Sequence, residues 1–204
     1  MLENVWLVHP EPAMCDAFRS RFAGLPRVRV VQSTFEDLES HDCFVTAGNS
    51  YGIMTAGIDA ALVRRFGDDL MERVQQRILD SFWGEQPVGT AFVEPTGDRK
   101  LPFIVHAPTM RVPGSIDGND KVYAATWASF LAIAEHNRAR ASSIGTVAFP
   151  AMGTGFGGMS FDEAARQMAA AYRHFLDPPH RLDWDTVVER HKAICYDGNR
   201  QVVK

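Results

Sequence analysis

Two short apolar runs in this chain end in glycine-rich loops, and each loop leads directly into an amphipathic stretch. The first run, Cys43–Ala47, is followed by GNSYGIMTAG and then by IDAALVRRFG, where Ile58, Ala61 and Leu62 keep helical spacing. The second run, Ile144–Pro150, is followed by AMGTGFGGM and then by Ser160-Phe161-Asp162-Glu163, a capping box that opens the next helix. Strand, loop, helix in that order belongs at the carboxyl edge of an α/β sheet, where such folds place their ligands. Glycine there admits positive φ and lets backbone N–H groups approach a ligand, while the positive end of the following helix favours an anion. A phosphate-bearing ligand is the natural occupant. Neither loop is a P-loop, because GxxxxGK[ST] is absent and no lysine lies in either; GTGFGG also lacks the GxGxxG spacing.

The rest of the chain keeps the same alternation, so the sequence predicts an α/β fold in a single domain over residues 1–204. Further strands are expected at Val5–His9, Arg27–Gln32, Gly89–Glu94, Pro102–Ala107 and Lys192–Tyr196. The alternation of basic residues and valine in RVRVVQ suits a half-exposed strand near an edge. Helices are expected over Pro12–Phe22, over Asn119–Arg140, from Ser160 to near Pro178, and over Trp184–Arg190. Asp68 is positioned to cap another helix carrying Leu70, Met71, Val74, Ile78 and Phe82 on one face. The turn at Pro95–Lys100 suits a hairpin.

Composition narrows the ligand class. The 21 basic and 25 acidic residues leave a net charge of −4, which excludes a broad positive field for nucleic acid. Cys15, Cys43 and Cys195 are odd in number, far apart and without metal-ligand spacing, which fits a reduced compartment and a cytoplasmic location. No run reaches the roughly 18 apolar residues that span a bilayer, so no membrane partner is expected. His106, on an apolar strand, reads as a core histidine.

The residues at both loops resemble the macro domain family. DCFVTAGNSYGIMTAGIDAAL looks like its first signature, VAFPAMGTGFGGMSFDEAA like its second, and IVHAP at Ile104–Pro108 like the strand between them. The resemblance covers roughly Phe35 to Phe175 and implies a three-layer α/β/α domain with a mixed central sheet. It implies binding of ADP-ribose or of an ADP-ribosylated protein. Ala47, Gly48 and Asn49 would lie beside the distal ribose, with Gly57 and Ile58 against the diphosphate. Pro150 and the loop Gly153, Thr154, Gly155, Phe156 and Gly157 would cradle the diphosphate, with Phe156 packed on the distal ribose. Tyr196 is a candidate to stack on adenine. The family's adenine-reading aspartate falls on Phe35 here: either Glu36 or Asp37 replaces it, or Phe35 stacks on the base, or adenine recognition is relaxed.

The separation of Asn49 and Asp59 is similar to that of the MacroD-type branch, whose members remove ADP-ribose from acidic side chains or acetyl from acetylated ADP-ribose. That implies Asn49 and Asp59 as catalytic residues, Asn49 fixing the ribose and Asp59 orienting or deprotonating a water. The implied reaction requires no metal and no cofactor. Another branch uses a lysine nucleophile, but no lysine precedes Lys100, and Arg64 and Arg65 in the corresponding stretch stay protonated. The alternatives are a non-catalytic ADP-ribose reader and a macro-fold relative that binds another nucleotide.

Overall fold

The computed structural model describes residues 2–139 and 144–195. Six strands form one mixed sheet: β1 (Asn4–Val8), β2 (Val28–Val31), β3 (Cys43–Thr46), β4 (Phe92–Pro95), β5 (Phe103–His106) and β6 (Thr146–Pro150). Their spatial order is β2-β1-β6-β3-β5-β4, with all neighbours parallel except the antiparallel pair β4 and β5. The basic and valine alternation places β2 on an edge, as expected, and the 95–100 turn joins the antiparallel pair.

Helices cover both faces because each inner strand is apolar on both sides. Val5 and Leu7 of β1, with Val147 and Phe149 of β6, pack on one face against α1 (Pro12–Arg21), α4 (Lys121–Ala139) and α5 (Phe161–Leu176). Trp6, Val8 and Ala148 turn to the other face, where α2 (Gly57–Phe66) and α3 (Asp68–Phe82) supply Leu62, Leu70, Val74 and Ile78. The result is a three-layer α/β/α domain. A last helix, α6 (Trp184–Ile194), lies beside α5.

Four local expectations are corrected. The strand expected at Lys192–Tyr196 is the last turn of α6 as far as Ile194; a three-residue apolar run does not distinguish helix from strand. The Asp183 carboxylate starts that helix by accepting from the Thr186 N–H at 2.9 Å. Tyr196 itself lies outside the described residues. Asp68 makes no cap; Gly67, at φ 87°, ends α2 and begins α3, a geometry that a side chain adopts only with strain. Strand β4 begins at Phe92, beyond the positive-φ Gly89. At α5 the Ser160 hydroxyl accepts from the Glu163 N–H at 3.3 Å, but Glu163 turns to Arg166 and Gln167, so only half of the capping box forms.

Candidate functional site

The parallel strands all deliver their carboxyl ends to one edge, and a cleft of about 580 Å³ opens there. Its β2 and β1 end is built by residues that leave those two strands, among them His9 and Phe35. Its middle lies between the start of α2 and the loop after β6. Its far end is formed by the loops that leave β3 and β5, where Asn49 and Met110 form an isolated parallel bridge. Ala47, Gly48, Asn49, Gly57, Ile58, Asp59 and Pro150 all line this cleft, as do Gly153, Gly155, Phe156 and Gly157. Phe35 does too, whereas Thr154 does not: its hydroxyl turns back to the Ala151 carbonyl at 3.0 Å.

The unpaired donors at this edge are backbone groups. Ala56 occupies the N-cap of α2 without a capping side chain, and the first intrahelical bond is donated by Ala60. The N–H groups of Gly57, Ile58 and Asp59 therefore have no partner among the described residues. Across the cleft the N–H groups of Gly155, Phe156 and Gly157 are likewise unpaired, since the loop's own bonds are donated by Thr154, Gly158 and Met159. The six residues that carry these free donors line one space, and no lysine or arginine among the described residues lines it. The second set belongs to the loop alone; the start of α5, capped by Ser160, is not part of the cleft.

The glycines of that second loop have separate reasons. A Cβ on Gly157 would stand 2.3 Å from the Gly153 carbonyl oxygen, and one on Gly153 would meet Val122 at 2.6 Å. Gly155 has neither crowding nor positive φ, so its missing side chain serves only the open cleft. Phe156 stands at the rim with 65% of its surface exposed.

Asp59 is the one acidic side chain lining the cleft among the described residues. It lies in the first turn of α2 and is 7% exposed. The fully buried Thr46 hydroxyl at the end of β3 donates to its Oδ1, and no salt bridge reaches it among the described residues. Burial pushes its pKa up to about 7. Asn49 holds its own loop: its Nδ2 donates to the Ile53 carbonyl at 2.8 Å, and its Oδ1 accepts from the Tyr51 and Ile53 N–H groups at 3.1 and 3.3 Å. One N–H of its amide is left for another partner.

Beneath Gly48 lies His106, fully buried as expected of a core histidine. Its Nδ1 lies 2.7 Å from Gln86 Oε1; because the Gln86 amide donates to the Thr90 and His106 carbonyls, Nδ1 carries the proton. Burial lowers its pKa to about 4. Arg64 and Arg65 lie outside the cleft, 3.3 Å from Glu36 and 3.8 Å from Asp98. Among the described residues, no three His, Cys, Asp or Glu side chains gather as metal ligands would.

Sequence reasoning passed over Thr46, His9 and Ser33. Each sits at or just past the carboxyl end of a strand, and that position was the available signal.

The family model for the macro domain matches residues 45–168, which span β3 through most of α5. The chain belongs to the macro domain family. An uncharacterised protein of Aquifex aeolicus is 33% identical over 150 residues, covering 72% of this chain and 82% of that protein. Among solved structures, the macrodomain of Mycobacterium tuberculosis DarG has a TM-score of 0.56 at 23% identity, covering 70% of this chain and 88% of that one. A glycine-to-valine variant of an Oceanobacillus iheyensis macrodomain, determined with ADPR, has a TM-score of 0.57 at 18% identity, covering 68% and 73%. These two likenesses are of fold.

Proposed function

We propose that this macro domain binds ADP-ribose and hydrolyses ADP-ribosyl esters. The diphosphate lies between the two sets of three unpaired N–H groups, which accept its charge without a basic side chain. The apolar Phe35 end takes the base and the Asn49 end takes the distal ribose. The Oceanobacillus iheyensis macrodomain, determined with ADPR, supports this ligand.

The observation that carries the catalytic part is Asp59, a buried carboxyl whose pKa of about 7 sets it near neutrality in the same cleft. A general base works best with a proton affinity close to the operating pH. Asp59 takes a proton from water as the water oxygen adds to the anomeric carbon of the distal ribose. The bond to the acyl oxygen breaks, the carboxylate leaves, and ADP-ribose and a free acidic side chain result. Thr46 holds the Asp59 carboxyl in place.

Calorimetric titration with ADP-ribose, followed by single-turnover release from a glutamate-linked ADP-ribosyl protein, tests both parts. Asp59→Ala should bind ADP-ribose almost as well as the wild type and release it about 10²-fold more slowly or worse. Absence of binding at millimolar ADP-ribose overturns the proposal. Binding with no turnover in the wild type makes the protein a reader of ADP-ribose, which the engagement of Asn49 in its own loop would favour.

A further inference from the structure

The end of the cleft beneath β1 and β2 is closed by Val8, His9, Pro10, Ser33, Phe35 and Phe44. The Phe35 ring lies 4.9 Å from that of Phe44 at 71°, and the Arg65 guanidinium stands 5.6 Å over it. The neighbouring carboxylates are engaged elsewhere. Glu36 accepts from Arg64 at 3.3 Å, Asp37 accepts from the Thr34 hydroxyl at 2.8 Å, and neither lines the cleft.

Two backbone carbonyls on this side already accept hydrogen bonds. The His9 carbonyl receives the Ser33 N–H at 3.2 Å and the Cys15 thiol at 3.3 Å; the Pro10 carbonyl receives the Gln32 amide at 3.3 Å. His9 Nδ1 accepts from the Glu11 N–H at 3.2 Å, which leaves Nε2 as the protonated nitrogen of a neutral ring. The polar side chains at this end are therefore an imidazole N–H and the Ser33 hydroxyl, which rotates to suit either partner. A 6-amino group needs an acceptor; among the described residues no carboxylate lines this end, and the Ser33 hydroxyl is the side chain that can accept. A 6-oxo group needs a donor, and two are present.

Resting on the reading that the cleft binds a nucleoside diphosphate ribose, we propose that the Phe35 end holds a purine by its faces and outline. It accepts 6-oxopurine nucleotide sugars, with hypoxanthine in place of adenine, as readily as 6-aminopurine ones. A carboxylate accepting from the amino group would instead impose an adenine preference on the order of 10- to 100-fold.

Calorimetric titration of the full chain with ADP-ribose and with inosine diphosphate ribose decides the matter. The expected result is two dissociation constants within about threefold of each other. ADP-ribose binding at least about tenfold tighter overturns this inference and leaves the ADP-ribose reading intact. Binding of neither at millimolar concentration overturns the ADP-ribose reading and this inference with it. Phe35→Asp should bring in an adenine preference of about tenfold or more; a folded variant whose two constants stay equal overturns the role given to Phe35. The wild-type comparison stands by itself if that buried substitution prevents folding.

Discussion

Asp59 should make this protein less stable as the pH rises, and removing its charge should reverse that. Its carboxyl is buried, takes a hydrogen bond from Thr46 and has no salt bridge among the described residues, and its pKa stands at about 7 against an ordinary 3.8. The folded protein therefore holds this proton more tightly than the unfolded chain does. The stability it contributes is fully present below the ordinary carboxyl range, declines as the pH climbs, and is gone above about 7. A displacement of that size corresponds to roughly 4 kcal/mol at most. Asp59→Asn keeps the shape and the hydrogen bond to Thr46 but cannot ionise. Its melting temperature minus that of the wild type should be near zero at pH 4 and should rise to as much as about 8–16 °C at pH 8, given about 2–4 °C per kcal/mol for a chain of this size. Scanning calorimetry of the two proteins at matched ionic strength reads the difference, and other titrating groups cancel in it. A difference independent of pH would refute the assignment of a buried, uncompensated carboxyl at this position. The same variant should lose turnover, so a gain in stability and a loss of activity appear together.

Other outcomes follow from the geometry of the second loop and its helix. Gly157→Ala places a Cβ against the Gly153 carbonyl and should cost about 1–3 kcal/mol in urea unfolding. Gly155→Ala meets nothing and should stay within about 0.5 kcal/mol of the wild type, while the bulkier Gly155→Val should fold and lose ADP-ribose binding in titration. Phe156→Ala removes an exposed ring, leaving stability within about 0.5 kcal/mol and weakening ADP-ribose several-fold. Ser160→Ala removes the cap of α5 and should lower stability by about 1 kcal/mol in the same unfolding assay, without affecting binding.

The central part of the fold was readable because its signals are local. Buried strands such as Cys43–Thr46 are short and apolar throughout, and the loops after β3 and β6 carry glycines that no ordinary turn needs so densely. The site was readable only where it coincides with those loops. Thr46 reaches Asp59 from 13 residues away, and Ser33 joins His9 across the sheet edge; such pairings depend on how the strands are laid side by side. Phe35 was noticed as a departure, but the engagement of Glu36 and Asp37 elsewhere is a matter of side-chain direction that the sequence does not carry. The end of α6 was misread because AIC has the same composition in a last helical turn as in a short strand.

Gly48 and His106 occupy a single space. The imidazole lies where a side chain on residue 48 would begin, with Nε2 only 2.5 Å from the position of that Cβ. Residue 48 therefore cannot gain a side chain while the imidazole stays in place. A lineage that gains alanine at 48 must first give up the imidazole at 106, and reversing that order passes through a protein with a displaced cleft wall. Among descendants of this chain the two positions should drift as a linked pair, with the histidine lost before the glycine.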